Sequence, residues 1–138
     1  MRGRFAFVFT AITIGFALNV VANEKPTADY QNIMKSNGAA NGALRMHIMA
    51  KDYDAIAMDA ATIKANLAKI EAFWAAKKVD DAIAFAKNGG KGAADLEAAA
   101  KAKDDAAITS ASMAVASACG SCHMAHRERL PDMTFEIK

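Results

Sequence analysis

The chain has 138 residues, 54% hydrophobic and 23% charged, which leaves room for one domain with one buried core and excludes an intrinsically disordered polypeptide. Two cysteines are too few for a disulfide-dense scaffold and two prolines exclude a polyproline rod. Plentiful alanine with sparse Val, Ile, Thr and Tyr argues for helices rather than sheet.

Arg2 and Arg4 precede an apolar run from Phe5 to Val21, broken only by Thr10, Thr13, Gly15 and Asn19, and small residues lead to Ala22. A basic start, an apolar middle and a small-residue end predict a secretory leader over residues 1–22, cleaved after Ala22. A retained anchor is the weaker alternative, because a spanning helix wants about 20 predominantly apolar residues. Of the 17 basic residues two, Arg2 and Arg4, belong to this leader, while all 15 acidic residues follow it, so residues 23–138 balance at zero. The electrostatic support for nucleic-acid binding leaves with the leader.

Beyond Ala22 the apolar spacing is helical. A first helix is expected from Thr27 or Asp29, either of which can cap it, to about Lys51, with Ile33, Met34, Ala40, Leu44 and Ile48 on one side. A polar turn at Lys51–Asp54 leads to a second helix carrying Ile56, Ile63, Leu67, Ile70 and Trp74. The pattern weakens after Lys77, and Asn88-Gly89-Gly90-Lys91-Gly92 reads as a break, followed by a short third helix over Ala93–Lys101. Asp104 or Asp105 can cap a last helix that runs to about Arg129 and stops before Pro131. Short connections make neighbours antiparallel, so the expected architecture is all-α, an up-down-up-down four-helix bundle.

Cys119-Gly120-Ser121-Cys122-His123 is C-x-x-C-H, the c-type haem attachment sequence. Positions i, i+3 and i+4 share one helix face, so both thiols and the imidazole can meet one planar ligand. Two thioethers then fix the porphyrin and His123 binds the iron. A zinc site would need two more Cys or His ligands at suitable spacing, and a thioredoxin-like pair needs a βαβ setting. A structural disulfide gives no reason for the histidine that follows.

The opposite axial ligand should come from the first turns of the first helix, which the bundle lays beside the end of the last. Met34 is there. Met46, His47 and Met49 lie roughly 18–22 Å further along at 1.5 Å per residue, and Met58 belongs to that far end too. His126 shares a helix and nearly a face with His123, Met113 is roughly 15 Å before it, Met124 points to another face, and Met133 would need a tail folded back. Spacing alone leaves Met34 either a ligand or a core gap-filler. Gly38 and Gly42, costly inside a helix, signal close approach by a ligand or a helix, or simple packing relief. Phe73 and Trp74 are candidates for a pocket wall or for ordinary core, and Tyr53 for surface.

The segment Tyr30-Gln31-Asn32-Ile33-Met34 through Gly38 and Gly42 to Leu44 resembles the opening helix of class II cytochromes c, the cytochrome c prime family, as does the late C-x-x-C-H followed by Arg127. The resemblance implies a four-helix bundle with haem near one end. Met34 falls where low-spin members carry a methionine ligand, and high-spin members an apolar residue. The family often has a basic propionate contact where this chain has Tyr30, whose phenol can still donate a hydrogen bond; Arg127 is a second propionate candidate or a solvated charge.

The expected protein is therefore an exported, periplasmic carrier of single electrons, holding one covalent haem c through Cys119 and Cys122, with iron bound by His123 and Met34. With both axial positions filled it is not expected to be an enzyme. Its expected partners are redox proteins and possible partners include a second copy of itself, with no nucleic acid and no membrane anchor after leader removal. The alternatives are a high-spin, five-coordinate protein that binds nitric oxide or carbon monoxide, and a docking subunit of an oxidoreductase.

Overall fold

Three side chains start three helices by accepting the first free backbone amides. Thr27 accepts from Tyr30 N–H at 3.2 Å, Asp52 from Ala55 at 3.1 Å and Asp104 from Ala107 at 2.9 Å. They precede α1 (Ala28–Ala50), α2 (Tyr53–Lys77) and α4 (Asp105–His126) in the computed structural model, which describes residues 23–138. Between them, α3 (Asp80–Ala102) follows Val79 without a side-chain cap, with Asp80 and Asp81 in its first turn to meet the positive end of its dipole. The expected leader over residues 1–22 lies outside the described residues. Among those described, no helix is long and apolar enough to cross a membrane.

The first three helices end alike. Lys51, Lys78 and Lys103 take left-handed backbone angles, with φ of 54°, 58° and 56°, and their amides turn back to Ile48, Ala75 and Ala100. A left-handed residue other than glycine costs roughly 1–2 kcal/mol, and here it lets two residues reverse the chain. Each helix therefore runs antiparallel to the next, and the all-α four-helix bundle is the observed architecture.

Two expectations are corrected. The expected break at Asn88–Gly92 and the short third helix over Ala93–Lys101 are replaced by one continuous α3 from Asp80. Glycine serves contact there rather than turning: a Cβ on Gly89 would meet Leu67 Cδ1 of α2 at 3.1 Å and Ala118 Cβ of α4 at 3.3 Å. One on Gly92 would meet Val115 of α4, backbone nitrogen and Cγ2 both at 3.2 Å. With Ala82, Ala86, Ala93 and Ala100 also buried, α3 presents small residues to both neighbours. The second correction concerns α4, which ends at His126 instead of running to Arg129. Arg127–Arg129 is a short strand, β1, paired antiparallel with β2 (Phe135–Ile137), and Pro131 lies in the turn between them. Ile137 also exchanges backbone hydrogen bonds with Glu24, at 2.8 and 2.9 Å, so both ends of the described chain meet.

Ile56, Ile63, Leu96 and Val115 are the largest fully buried side chains, joined by Leu44, Leu67, Ile70 and Trp74. α1 packs along α2, α2 along α3 and α3 along α4, but α1 and α4 do not close on each other. At the far end they are tied through Asp105, which Lys51 and Tyr53 reach at 2.5 and 3.0 Å, with Tyr53 at the surface as expected. At the near end the gap stays open.

The glycines of α3 separate contact from propensity. Gly90→Ala, where a Cβ would meet nothing within 4 Å, should stabilise the fold by roughly 0.5–1 kcal/mol. Gly92→Val should destabilise it by roughly 1–3 kcal/mol through overpacking against the Val115 backbone. Urea unfolding followed by circular dichroism reads both.

Candidate functional site

The open end of the bundle holds a cavity of about 560 Å³, within the size range of pockets that bury small-molecule cofactors. Each helix contributes through its own period. α1 lines it with Tyr30, Met34, Asn37, Asn41 and Arg45, three or four residues apart, and with Gly38 beside Asn37. α4 faces them with Ala116, Cys119, Cys122, His123 and His126, while Leu67, Ile70 and Trp74 of α2 and Phe85 and Ala86 of α3 close the back. Arg127 and the strand Phe135–Ile137 complete the end near the chain termini.

The sequence-expected residues fall within this arrangement. Cys119 is half-buried, Cys122 is buried, and the two are not joined in a disulfide. Burial raises both thiols, Cys122 to about 11, so both stay protonated at neutral pH. Burial and then the Arg127 guanidinium hold the His123 imidazole below its ordinary range, leaving it neutral, as a metal ligand must be.

Met34 is half-buried and is the only methionine lining the cavity among the described residues. Met46, Met49, Met58, Met113, Met124 and Met133 are all at least 63% exposed and stand outside it. Met133 lies on a tail that does fold back, with its sulfur 2.9 Å from an Arg129 guanidinium nitrogen. His47 pairs with Asp59 at 2.7 Å on the α1–α2 side. His126 lines the cavity, but its Nε2 lies 2.9 Å from Asp81 and its ring packs 4.9 Å from that of Trp74.

Tyr30 is buried at the open end of the bundle. Its hydroxyl accepts the Trp74 indole N–H at 3.1 Å and keeps its own hydrogen to donate; burial pushes the phenol well above its usual range. Phe73 stacks on Tyr30 at 4.2 Å from outside the cavity, while Trp74 forms part of the wall. Arg127 lies 4.5 Å from the Phe135 ring centre. Gly42 is exposed and Gly38 lines the cavity, and a Cβ at either would meet nothing within 4 Å.

Several lining residues escaped the sequence reading. Lys35 and Arg45, with Arg127, place three cations on the lining, none paired with a carboxylate among the described residues, alongside the carboxylate of Glu136. Asn37 and Asn41 continue the Met34 stripe and were findable from helical spacing. Asn37 is 6% exposed, and its side-chain oxygen has no hydrogen-bond partner. Phe135–Ile137 had a signal too, since Pro131-Asp132 is a turn pair ahead of an alternating segment.

The arrangement offers thiols and a neutral imidazole on one wall, a thioether on another, apolar surface between them and cations on the lining. No group of three or more His, Cys, Asp or Glu suited to holding a metal ion occurs among the described residues. No family model matches the chain, and no curated protein or solved structure matches it either.

Ending the chain at Arg129 would remove the Phe135–Ile137 wall and the buried Ile137. Stability should fall by roughly 1.5–3 kcal/mol, with helical circular dichroism retained. Acrylamide should then quench Trp74, the single tryptophan, more strongly; unchanged quenching would mean that the strand does not shield this end.

Proposed function

We propose that residues 23–138 form a periplasmic, soluble, single-haem c-type cytochrome of the class II type, which passes single electrons between partner proteins after removal of a leader over residues 1–22. The observation that carries this reading is the convergence of the C-x-x-C-H residues and one methionine on a single cavity. Cys119 and Cys122 would hold the haem through thioethers, and His123 and Met34 would bind its iron from α4 and α1. Bound there, haem supplies reversible one-electron exchange at iron.

The cavity suits such a group in shape and chemistry. Its space lies between two helices that stay apart, its walls are mainly apolar, and the hollow at Gly38 holds no protein atom. Lys35, Arg45 and Arg127 offer cations to propionate groups, and the Tyr30 hydroxyl retains a hydrogen for one. A single protein ligand on each of two facing walls suits a metal whose remaining ligands arrive with a macrocycle.

The chain's residues then have distinct tasks. Met34, a neutral thioether, would favour reduced iron and raise the potential of a bound haem. Burial keeps His123 unprotonated and able to bind metal down to lower pH than an exposed histidine. Apolar walls from Leu67, Ile70, Trp74 and Phe85 keep water from the site. With Met34 and His123 both bound to iron, the chain would offer no open coordination place to a substrate, which fits a carrier rather than an enzyme.

Export from a host competent in c-type maturation should give coloured protein with a haem adduct on the peptide containing residues 119–123. Its oxidised spectrum should carry a red methionine-to-iron charge-transfer band, and Met34→Leu should abolish that band and give a high-spin form. A five-coordinate high-spin spectrum in the unaltered chain would favour a protein that binds small gases instead. Colourless protein with an unmodified 119–123 peptide would overturn the haem assignment.

A further inference from the structure

Asn37 is a polar side chain placed where nothing in the protein needs one. It is 6% exposed on the cavity wall, three residues beyond Met34 on the same helix, and its side-chain oxygen has no partner. Residues so spaced have Cβ atoms about 5–6 Å apart, which puts a carboxamide within reach of the thioether's neighbourhood. Its own backbone carbonyl is already used, accepting from Asn41 Nδ2 at 2.9 Å. A buried carbonyl oxygen left without a partner is destabilising.

We propose that Asn37 is a positioning residue for Met34, donating its carboxamide N–H toward the thioether sulfur. This rests on the reading of Met34 as an iron ligand. A half-turn of the amide exchanges oxygen and nitrogen with almost no change of shape. With Met34 as an iron ligand, the group this wall would face is the thioether sulfur, an acceptor, so the nitrogen end of the carboxamide would find a partner there. An N–H aimed at the sulfur also places the positive end of the amide dipole beside the metal. That disfavours the extra positive charge of the oxidised state, so Asn37 raises the reduction potential. The surroundings amplify the effect, because a buried dipole is little screened.

The test is redox titration of the haem-loaded full chain, with optical spectra in both states. Asn37→Leu, similar in size and without a donor, should keep the methionine-to-iron band and lower the potential. Asn37→Thr, which restores a donor, should recover most of the drop. An unchanged or higher potential in Asn37→Leu overturns the proposal; a rise would place the oxygen end toward the metal. Should the Leu variant not mature, Asn37→Ala must lower the potential by the same reasoning, and failure to do so overturns the proposal equally. The two levels separate cleanly. Absence of the band in the unaltered chain removes both Met34 ligation and this role, whereas a band with no potential shift removes only Asn37.

Discussion

Close approach of α3 to both of its neighbours is the constraint on which the bundle's shape depends. A Cβ on Gly89 would press on Leu67 and Ala118, and one on Gly92 on the backbone of Val115, at distances tight enough that a neighbour would have to shift. The alanines that continue this face let α2, α3 and α4 draw together as a tight three-helix layer. α1 packs on α2 but does not close on α4. It leans on α2, where buried Asn66 donates to Ser36 at 3.0 Å, and is secured at the far end through Asp105. A gap at the other end follows, because α1 is held by one neighbour while α4 is held by another.

That gap explains why chemistry-bearing residues from opposite ends of the sequence share one space. α4 brings Cys119, Cys122 and His123 to it by i, i+3, i+4 spacing, and α1 brings Met34, Asn37 and Asn41 by the same arithmetic. Aromatic packing of Tyr30, Phe73, Trp74 and His126 then stiffens the end of the bundle around it. Engagement of the His126 ring with Asp81 leaves His123 as the cavity-lining imidazole without such a carboxylate partner.

Local signals made much of this legible. Thr27, Asp52 and Asp104 are caps whose meaning does not depend on tertiary context, and the spacing of Ile56, Ile63, Leu67, Ile70 and Trp74 marks one buried face. What stayed hidden depends on distant partners. Glycine looks the same in sequence whether it turns the chain or admits a neighbour, and only Leu67, Ala118 and Val115 decide the matter for α3. Lysine at three left-handed helix ends offers no signal of the kind glycine would give. The pairing of Arg127–Arg129 with Phe135–Ile137 hid behind a proline that reads equally well as a helix stop. In Asn37 the residue was visible, but its isolation from any partner was not.

The exchange of backbone hydrogen bonds between Glu24 and Ile137 bears on the order of assembly. Helix neighbours in this chain are also sequence neighbours, so their contacts need only short loops and can form early. The seam between Glu24 and Ile137 spans almost the whole described polypeptide, so closing it costs more chain entropy than pairing neighbouring helices. A bundle can thus stand with its three tight helices and their cysteines in place while this seam is still undone. In such a protein the doorway to the interior would be the final piece of masonry, set only after whatever belongs inside has had its chance to enter.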